Sequence, residues 1–207
     1  MSLAQRERRA LVDTMTEVGP DGPTLCGTWT VRDLAAHLVV RERRPDASLG
    51  IMIRPLAGYL ETKQAELARR PFGELTELIR TGPPWWSPLR PVDAVVNLTE
   101  MFVHHEDVRR AEPDWQPRVL AERDQARLWT ALRTVARAAY RKSPVPVVLA
   151  TPDGCRTTAH RSQGSEVVLT GAPSELLLHA FGRDEVQIEA TGAEADVRAV
   201  LATDRSV

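Results

Sequence analysis

The chain has 207 residues, of which 43% are hydrophobic and 27% are charged, and its formal net charge is −1. This composition is typical of a soluble globular protein, and the arginines are spread among carboxylates, so we expect no nucleic-acid partner. No stretch reaches the roughly 18 consecutive apolar residues of a membrane span, and residues 1–15 carry charges throughout. We therefore expect no membrane partner, no signal peptide and a cytoplasmic location.

The first part of the chain is predicted to be helical up to residue 142. Alanine, leucine, arginine and glutamate recur there at helical spacing, and the breaks between the segments contain glycine and proline. The pattern predicts helices near residues 3–18, 31–44, 55–70, 73–81, 91–111 and 121–141.

The stretch Ser143-Pro144-Val145-Pro146 separates this part from one with a different pattern. After it, hydrophobic residues alternate with a period of two, which is typical of short strands. The pattern predicts strands near 145–150, 156–160, 166–170 and 186–190, and helices near 173–181 and 193–201. We therefore predict a mainly α fold with a helical domain over residues 1–142 and a small α+β domain over residues 143–207.

The second predicted helix has a clear start and carries a histidine. Thr30 is followed three residues later by Asp33, which matches a capping box, so the helix should begin directly after Thr30. The following apolar residues fall at helical spacing and form a stripe that should face a core. His37 lies at the edge of this stripe, where a histidine is more often an ordinary boundary side chain than a metal ligand.

The segment 91–110 should form one long helix in which Glu100 and His104 lie four residues apart. They share a strip of the helix surface that has apolar residues on both sides. A carboxylate and an imidazole in such a place must pair or bind a cation, because an unpaired buried charge costs several kcal/mol. His105 points about 100° away from His104 around the helix, so His104 is the expected partner of Glu100.

Two interpretations of this pattern remain open from spacing alone. His37, Glu100 and His104 together supply two imidazoles and one carboxylate, which is the ligand set of zinc sites that keep one coordination position open. The alternative is that Glu100 and His104 form an i,i+4 pair with Arg32 or Arg109 nearby.

Two segments resemble a known family. Residues 25–38, with the sequence Leu-Cys-Gly-Thr-Trp-Thr-Val-Arg-Asp-Leu-Ala-Ala-His-Leu, and residues 100–110 resemble the metal-binding domain of the mycothiol-dependent maleylpyruvate isomerase family. The resemblance implies a DinB-like up-and-down four-helix bundle that binds a divalent metal, commonly zinc, through three residues: His37, Glu100 and His104. Residues 176–183, followed by a short strand, resemble part of the family's small C-terminal domain, which is similar to sterol-carrier folds.

The resemblance also implies a chemistry. A divalent metal with an open position lowers the pKa of a coordinated thiol or water and so produces a nucleophile at neutral pH. We therefore expect a metal-dependent transferase or isomerase, with mycothiol as the small thiol and a small electrophile as the substrate. The alternative is a non-catalytic small-molecule-binding protein in which the metal is structural or vestigial.

Other side chains have both a functional and an ordinary interpretation. The resemblance implicates an arginine of the C-terminal domain in activity, and Arg183 could clamp a substrate carboxylate as a catalytic residue, or could be a turn arginine without a role. Asp107 or Asn97 could orient a ligand histidine, or could lie in solvent. Trp85 and Trp86 could cover a pocket, or could plug the end of the bundle.

The cysteines also allow two interpretations. Cys26 and Cys155 are the two cysteines of the chain and lie far apart without a CxxC pairing, so we expect no disulfide framework. Cys26 precedes the ligand-bearing helix and could modulate the site. An ordinary buried thiol is the simpler interpretation.

Overall fold

The structure is a computed structural model that describes residues 1–48, 54–84 and 96–205. It is mainly helical and contains a small four-stranded sheet, so the predicted mainly α class is confirmed. The chain divides into two compact units, Met1–Trp115 and Gln116–Val207, which we call the first and second units. No helix among the described residues is both long and apolar enough to cross a membrane.

The described helices of the first unit follow the predicted ones closely. They are α1 (Leu3–Val18), α2 (Val31–Arg43), α3 (Pro45–Ser48), α4 (Ala57–Ala68), α5 (Phe72–Thr81) and α6 (Val96–Arg109), with a short 3-10 helix at Arg54–Leu56. The pattern did not predict α3, which is too short to show a helical period, and it included two residues of the 3-10 helix in the helix predicted near residues 55–70. The predicted start of α6 near residue 91, and Trp85 and Trp86, lie outside the described residues.

The predicted capping box at the start of α2 is confirmed. The Asp33 backbone N–H donates to Thr30 Oγ1 over 3.3 Å, and the Thr30 backbone N–H donates to Asp33 Oδ2 over 3.0 Å. These two bonds satisfy groups that the first turn would otherwise leave without partners. The start of α2, and with it the position of His37 two turns later, is thus determined by local sequence.

The core of the first unit lies between α1, α2, α5 and α6. The apolar stripe predicted on α2 is buried, and it packs against apolar residues of the other three helices. The buried residues of this cluster include Leu11, Met15, Leu34, Leu38, Leu75, Ile79, Met101 and Val108. Because α2 and α6 both contribute to this core, their adjoining polar faces are brought together beside it.

The second unit combines a sheet with three helices. Its strands are β1 (Val147–Ala150), β2 (Arg156–His160), β3 (Val167–Gly171) and β4 (Ile188–Thr191), arranged in the order β2-β1-β3-β4. β1 runs parallel to β3 and antiparallel to β2, while β3 and β4 are antiparallel. β1 lies between two strands and all its residues are buried, which explains its uninterrupted apolar sequence. The helices are α7 (Glu122–Ala139), α8 (Pro173–Ala180) and α9 (Glu194–Leu201).

The long helix α7 belongs to the second unit, where it packs against α8 and β2. The sequence pattern groups this segment with the preceding helices, because periodicity shows that a segment is helical but not which neighbours it contacts. The division into domains over residues 1–142 and 143–207 stays a prediction.

Candidate metal centre

Three predicted side chains meet beside the core of the first unit. Glu100 and His104 lie one turn apart on α6, and His37 approaches them from α2. His104 Nε2 is 3.3 Å from Glu100 Oε1, and His37 Nε2 is 3.7 Å from the same oxygen. One donor atom from each residue lies within 4.8 Å of the other two. The structure therefore brings together the residues that the sequence singled out.

These distances fit a divalent metal. Ligand atoms about 2.1 Å from a tetrahedral zinc ion lie about 3.4 Å from one another, close to the two separations measured from Glu100 Oε1. Two imidazole nitrogens and one carboxylate oxygen also match the donor types that zinc prefers. Three ligands leave one position of a tetrahedral ion for an added group, so His37, Glu100 and His104 could hold a reactive ion.

A buried carboxylate orients His104. Asp107 Oδ2 lies 2.8 Å from His104 Nδ1, and the Asp107 side chain is completely buried. The Asp107 carboxylate accepts the Nδ1 proton of the ring, so Nε2 is the nitrogen that faces Glu100 and that could bind a metal once it has lost its proton. Of the two interpretations of Asp107, the solvent-exposed one is therefore wrong.

The Cys26 thiol shares this carboxylate. Cys26 Sγ donates to Asp107 Oδ2 over 3.1 Å and lies 3.8 Å from His104 Nδ1. The loop between α1 and α2, which carries Cys26, is hydrogen-bonded to α6 at this point, because the backbone N–H of Leu25 donates to the Asp107 carbonyl over 3.0 Å. Cys26 and Asp107 thus face Nδ1 of the ring, whereas Glu100 faces Nε2, so the thiol cannot join the other three ligands around one ion without a rearrangement.

His37 is held differently from His104. Its Nδ1 atom is buried and has no hydrogen-bond partner among the described residues. The ring instead packs against Trp29, with 5.1 Å between the ring centroids and an angle of 46° between the planes. The orientation of His37 therefore depends on packing rather than on a hydrogen bond.

A positive charge lies against the carboxylate of the cluster. Arg41 follows His37 by one turn of α2, and its Nε atom is 3.3 Å from Glu100 Oε1. Its Nη1 atom donates to Asn97 Oδ1 over 2.9 Å, and both Arg41 and Asn97 are buried. Arg41 was not among the candidate residues of the sequence, although its i,i+4 spacing from His37 could have indicated it.

The arginines that the sequence suggested as partners of Glu100 have other contacts. Arg32 donates to the backbone carbonyls of Ala68 and Arg70 over 3.2 and 3.1 Å. Arg109 donates to both carboxylate oxygens of Glu106, over 3.1 and 3.0 Å. Glu100 and His104 do form the i,i+4 pair of the alternative interpretation. The arginine beside this pair is Arg41, however, and not Arg32 or Arg109.

The environment shifts the pKa values of all three side chains. Burial alone would raise the pKa of Glu100, but the interactions with the neighbouring imidazoles of His104 and His37 hold it well below its usual value. Burial would lower the pKa of His104, but the hydrogen bonds with Asp107 and Glu100 hold it well above the usual value. Burial lowers the pKa of His37. In the metal-free protein, Glu100 is thus ionised, and an incoming cation displaces a proton from His104.

His105 makes a different contact, on the face of α6 that meets α1. Its Nδ1 atom is 3.0 Å from Glu7 Oε2, and its Nε2 atom is 3.1 Å from Thr14 Oγ1, both on α1. Both ring nitrogens are therefore engaged away from Glu100. This geometry agrees with the choice of His104 as the partner of Glu100.

Arg183 lies in the second unit, in the turn between α8 and β4. Its Nη1 atom donates to the Phe181 carbonyl over 2.5 Å. The side chain lines a cavity of about 500 Å³ together with Asp184, Asp204 and Arg205. A clamp on a substrate carboxylate stays a prediction for this residue.

The fold is similar to that of a solved enzyme. A crystal structure of the mycothiol-dependent maleylpyruvate isomerase matches with a TM-score of 0.64 and 15% sequence identity, over 91% of this chain and 90% of that chain. A histidine-to-alanine mutant of that isomerase matches with a TM-score of 0.61 and 13% identity over the same shares. No protein-family model matches the sequence, and a search of curated proteins finds no match. The resemblance that two short segments predicted is confirmed at the level of the fold.

Proposed function

We propose that this chain binds one divalent metal, zinc, and uses a small thiol, mycothiol, in an isomerase or transferase reaction on a small electrophile. The observation that carries the proposal is the meeting of His37 and His104 around one oxygen of Glu100. The likeness in fold to the mycothiol-dependent isomerase supports the choice of thiol. We place this activity in the cytoplasm.

Each residue of the site has a separate role in this proposal. Glu100 supplies the negative charge that attracts the cation, and Asp107 holds His104 with Nε2 free to bind it. Trp29 holds the ring of His37. A bound divalent metal lowers the pKa of a thiol at its open position, which makes the thiol nucleophilic at neutral pH.

The proposal also specifies the type of each domain and a role for Arg183 of the second unit. We assign the helical part to a DinB-like up-and-down four-helix bundle over residues 1–142, followed by a sterol-carrier-like α+β domain over residues 143–207. Arg183 is the proposed catalytic residue that binds a carboxylate of the substrate. The likeness in fold to the isomerase supports the architecture of this proposal, and the role of Arg183 rests on the sequence resemblance.

A second candidate function is a non-catalytic small-molecule-binding protein with a structural or vestigial metal. The contact between Arg41 and Glu100 favours it, because the guanidinium compensates the carboxylate when no cation is bound. Because Arg41 can compensate Glu100 in this way, the contact favours the vestigial form of this candidate, in which the fold does not need the metal for stability.

Metal content tests the first step of the proposal. We expect about one zinc per chain by elemental analysis of the purified protein, and a large loss of zinc in His37→Ala and Glu100→Gln. His160→Ala is the matched control, because His160 is a half-buried histidine of β2 outside the cluster. Full zinc content in either cluster variant would overturn the ligand assignment.

Calorimetry with the zinc-loaded protein separates the two candidate functions. We expect mycothiol to bind with measurable heat and a simple thiol such as 2-mercaptoethanol to bind more weakly. His37→Ala should abolish the heat of mycothiol binding if the thiol reaches the metal. Binding of zinc without any heat from mycothiol favours the non-catalytic candidate.

A further inference from the structure

A buried guanidinium lies inside the proposed metal centre. The Arg41 side chain is 9% exposed, and its Nε atom contacts the same Glu100 oxygen that faces His37 and His104. A cation beside a metal site repels the metal, so this placement calls for a physical reason. An arginine stays charged in proteins, so the reason cannot be a change in its protonation.

We infer that Arg41 sets the net charge of the metal centre so that its open position favours a ligand with one negative charge, a thiolate or a carboxylate, over a neutral one. This inference rests on the proposed function, since it concerns the same metal. It adds a residue that neither the sequence motifs nor the similarity to the isomerase singles out.

The guanidinium is held in place from two sides. Nη1 donates to Asn97 Oδ1 over 2.9 Å, and Asn97 is almost completely buried on α6. Nε faces Glu100, which lies one turn after Asn97 on the same helix. Because both contacts come from α6, the side chain of Arg41 cannot swing into solvent without losing them. Its charge is therefore a permanent part of the centre.

The sum of the charges at the centre explains why a negative ligand is favoured at the open position. Histidine ligands are neutral when they bind a metal, and the two carboxylates in contact with the described cluster, those of Glu100 and Asp107, balance a divalent ion. Arg41 adds one positive charge, which leaves the centre with a surplus of one. A singly negative ligand at the open position removes this surplus, and uncompensated charge is costly in buried surroundings.

The inference predicts two effects of opposite sign. Removing the charge of Arg41 should strengthen metal binding, because the repulsion is lost, and weaken anion binding to the metal. A residue that only positions Glu100 would behave differently, since its loss would weaken metal binding. The direction of the change in metal affinity therefore separates a charge effect from a structural one.

The test uses the full chain loaded with Co²⁺, whose visible absorption reports the ligands of the ion. Azide is the anionic probe, and imidazole is the neutral probe. The variants are Arg41→Gln, which removes the charge, and Arg41→Lys, which keeps it. Arg43→Gln is the matched control, because Arg43 also lies on α2 but donates to Leu78 and Gly82 carbonyls. Competition with a chelating dye gives the zinc affinity.

We expect Arg41→Gln to bind zinc about tenfold more tightly and azide about tenfold more weakly than the wild type, which is the order expected for a unit charge several ångströms from a divalent ion. The affinity for imidazole should change little. Arg41→Lys and Arg43→Gln should retain the azide affinity of the wild type within about threefold.

Several outcomes overturn the inference. Weaker zinc binding by Arg41→Gln would mean that Arg41 only positions Glu100. An unchanged azide affinity would show that the charge of Arg41 does not affect ligand binding at the metal. If Arg41→Gln does not fold, Arg41→Lys decides, because a large loss of azide affinity with the charge retained contradicts the charge count. If the wild type binds no Co²⁺ or zinc, the proposed function fails and the inference with it.

Discussion

Asp107 Oδ2 lies 2.8 Å from Nδ1 of His104, one turn earlier on α6, and its carboxylate is completely buried. A buried carboxylate behind a histidine is a common companion of metal-binding imidazoles, because it fixes the tautomer and the ring orientation. Because Asp107 follows His104 by one turn of the same helix, the fold of α6 itself preorganises this side of the centre.

Replacing Asp107 tests this preorganisation. Asp107→Asn keeps the size of the side chain, but its amide can donate to Nδ1 and so favour the wrong tautomer of His104. We expect the zinc affinity to fall about 10- to 100-fold, measured by competition with a chelating dye. Asp114→Asn is the control, since Asp114 is exposed in the same unit. Equal zinc affinities of the two variants would contradict the role of Asp107.

Trp29 provides a second test, because packing alone orients His37. The buried Nδ1 of His37 has no hydrogen-bond partner among the described residues, and its ring packs on Trp29 at 5.1 Å. Trp29→Ala should lower the zinc affinity by about tenfold as the ring gains freedom, on the scale of other supporting contacts of metal ligands. Trp29→Phe keeps an aromatic surface and should recover most of the loss. The same dye competition measures both variants, and wild-type affinity in Trp29→Ala would refute the packing argument.

The buried ion pair of Arg8 and Glu42 should contribute strongly to the stability of the first unit. Arg8 Nη1 donates to Glu42 Oε2 over 2.9 Å and to the Ile79 carbonyl over 2.8 Å, so the guanidinium links α1, α2 and α5. Glu42→Ala leaves a buried arginine without its carboxylate and should cost about 3–5 kcal/mol of unfolding free energy.

Urea unfolding followed by circular dichroism measures this cost. Glu66→Ala is the control, because it breaks an exposed pair with Lys63 and should change the stability little. A Glu42 variant as stable as this control would show that Arg8 finds another partner.

His179 should make the stability of the second unit depend on pH. Burial first, and the nearby charge of Arg205 second, lower the pKa of His179 to about 3. Tyr140 donates its hydroxyl proton to Nδ1 over 2.6 Å, which needs the neutral ring. Because the unfolded chain binds a proton below about pH 6.5 and the folded chain does not, stability falls as the pH drops from about 6.5 to about 3.

The corresponding variant is His179→Asn. We expect the wild type to lose about 2 kcal/mol more unfolding free energy than this variant between pH 7 and pH 5, measured by urea unfolding at both values. His160→Asn serves as the control, because His160 is a half-buried histidine of β2 whose side chain has no described hydrogen bond. An unchanged pH dependence in His179→Asn would mean that other groups cause it.

Local signals in the sequence were sufficient for much of this protein. Helical spacing predicted most of the described helices, and the capping box of Thr30 and Asp33 predicted where α2 begins. The four-residue spacing of Glu100 and His104 placed them on one face of α6, because a helix has a fixed number of residues per turn. Such features depend on residues a few positions apart, so the sequence by itself determined them.

Other features depended on contacts between distant segments. Arg41 faces Glu100 from another helix, Cys26 reaches Asp107 from a loop, and α7 packs within the second unit. No local pattern specifies which elements pack together, because many arrangements satisfy the same hydrophobic periods. The sequence by itself therefore placed Glu100 and His104 on one face of α6, whereas only the tertiary structure decided that His37 and the charge of Arg41 lie beside them, since both come from side-chain packing between helices far apart in the chain.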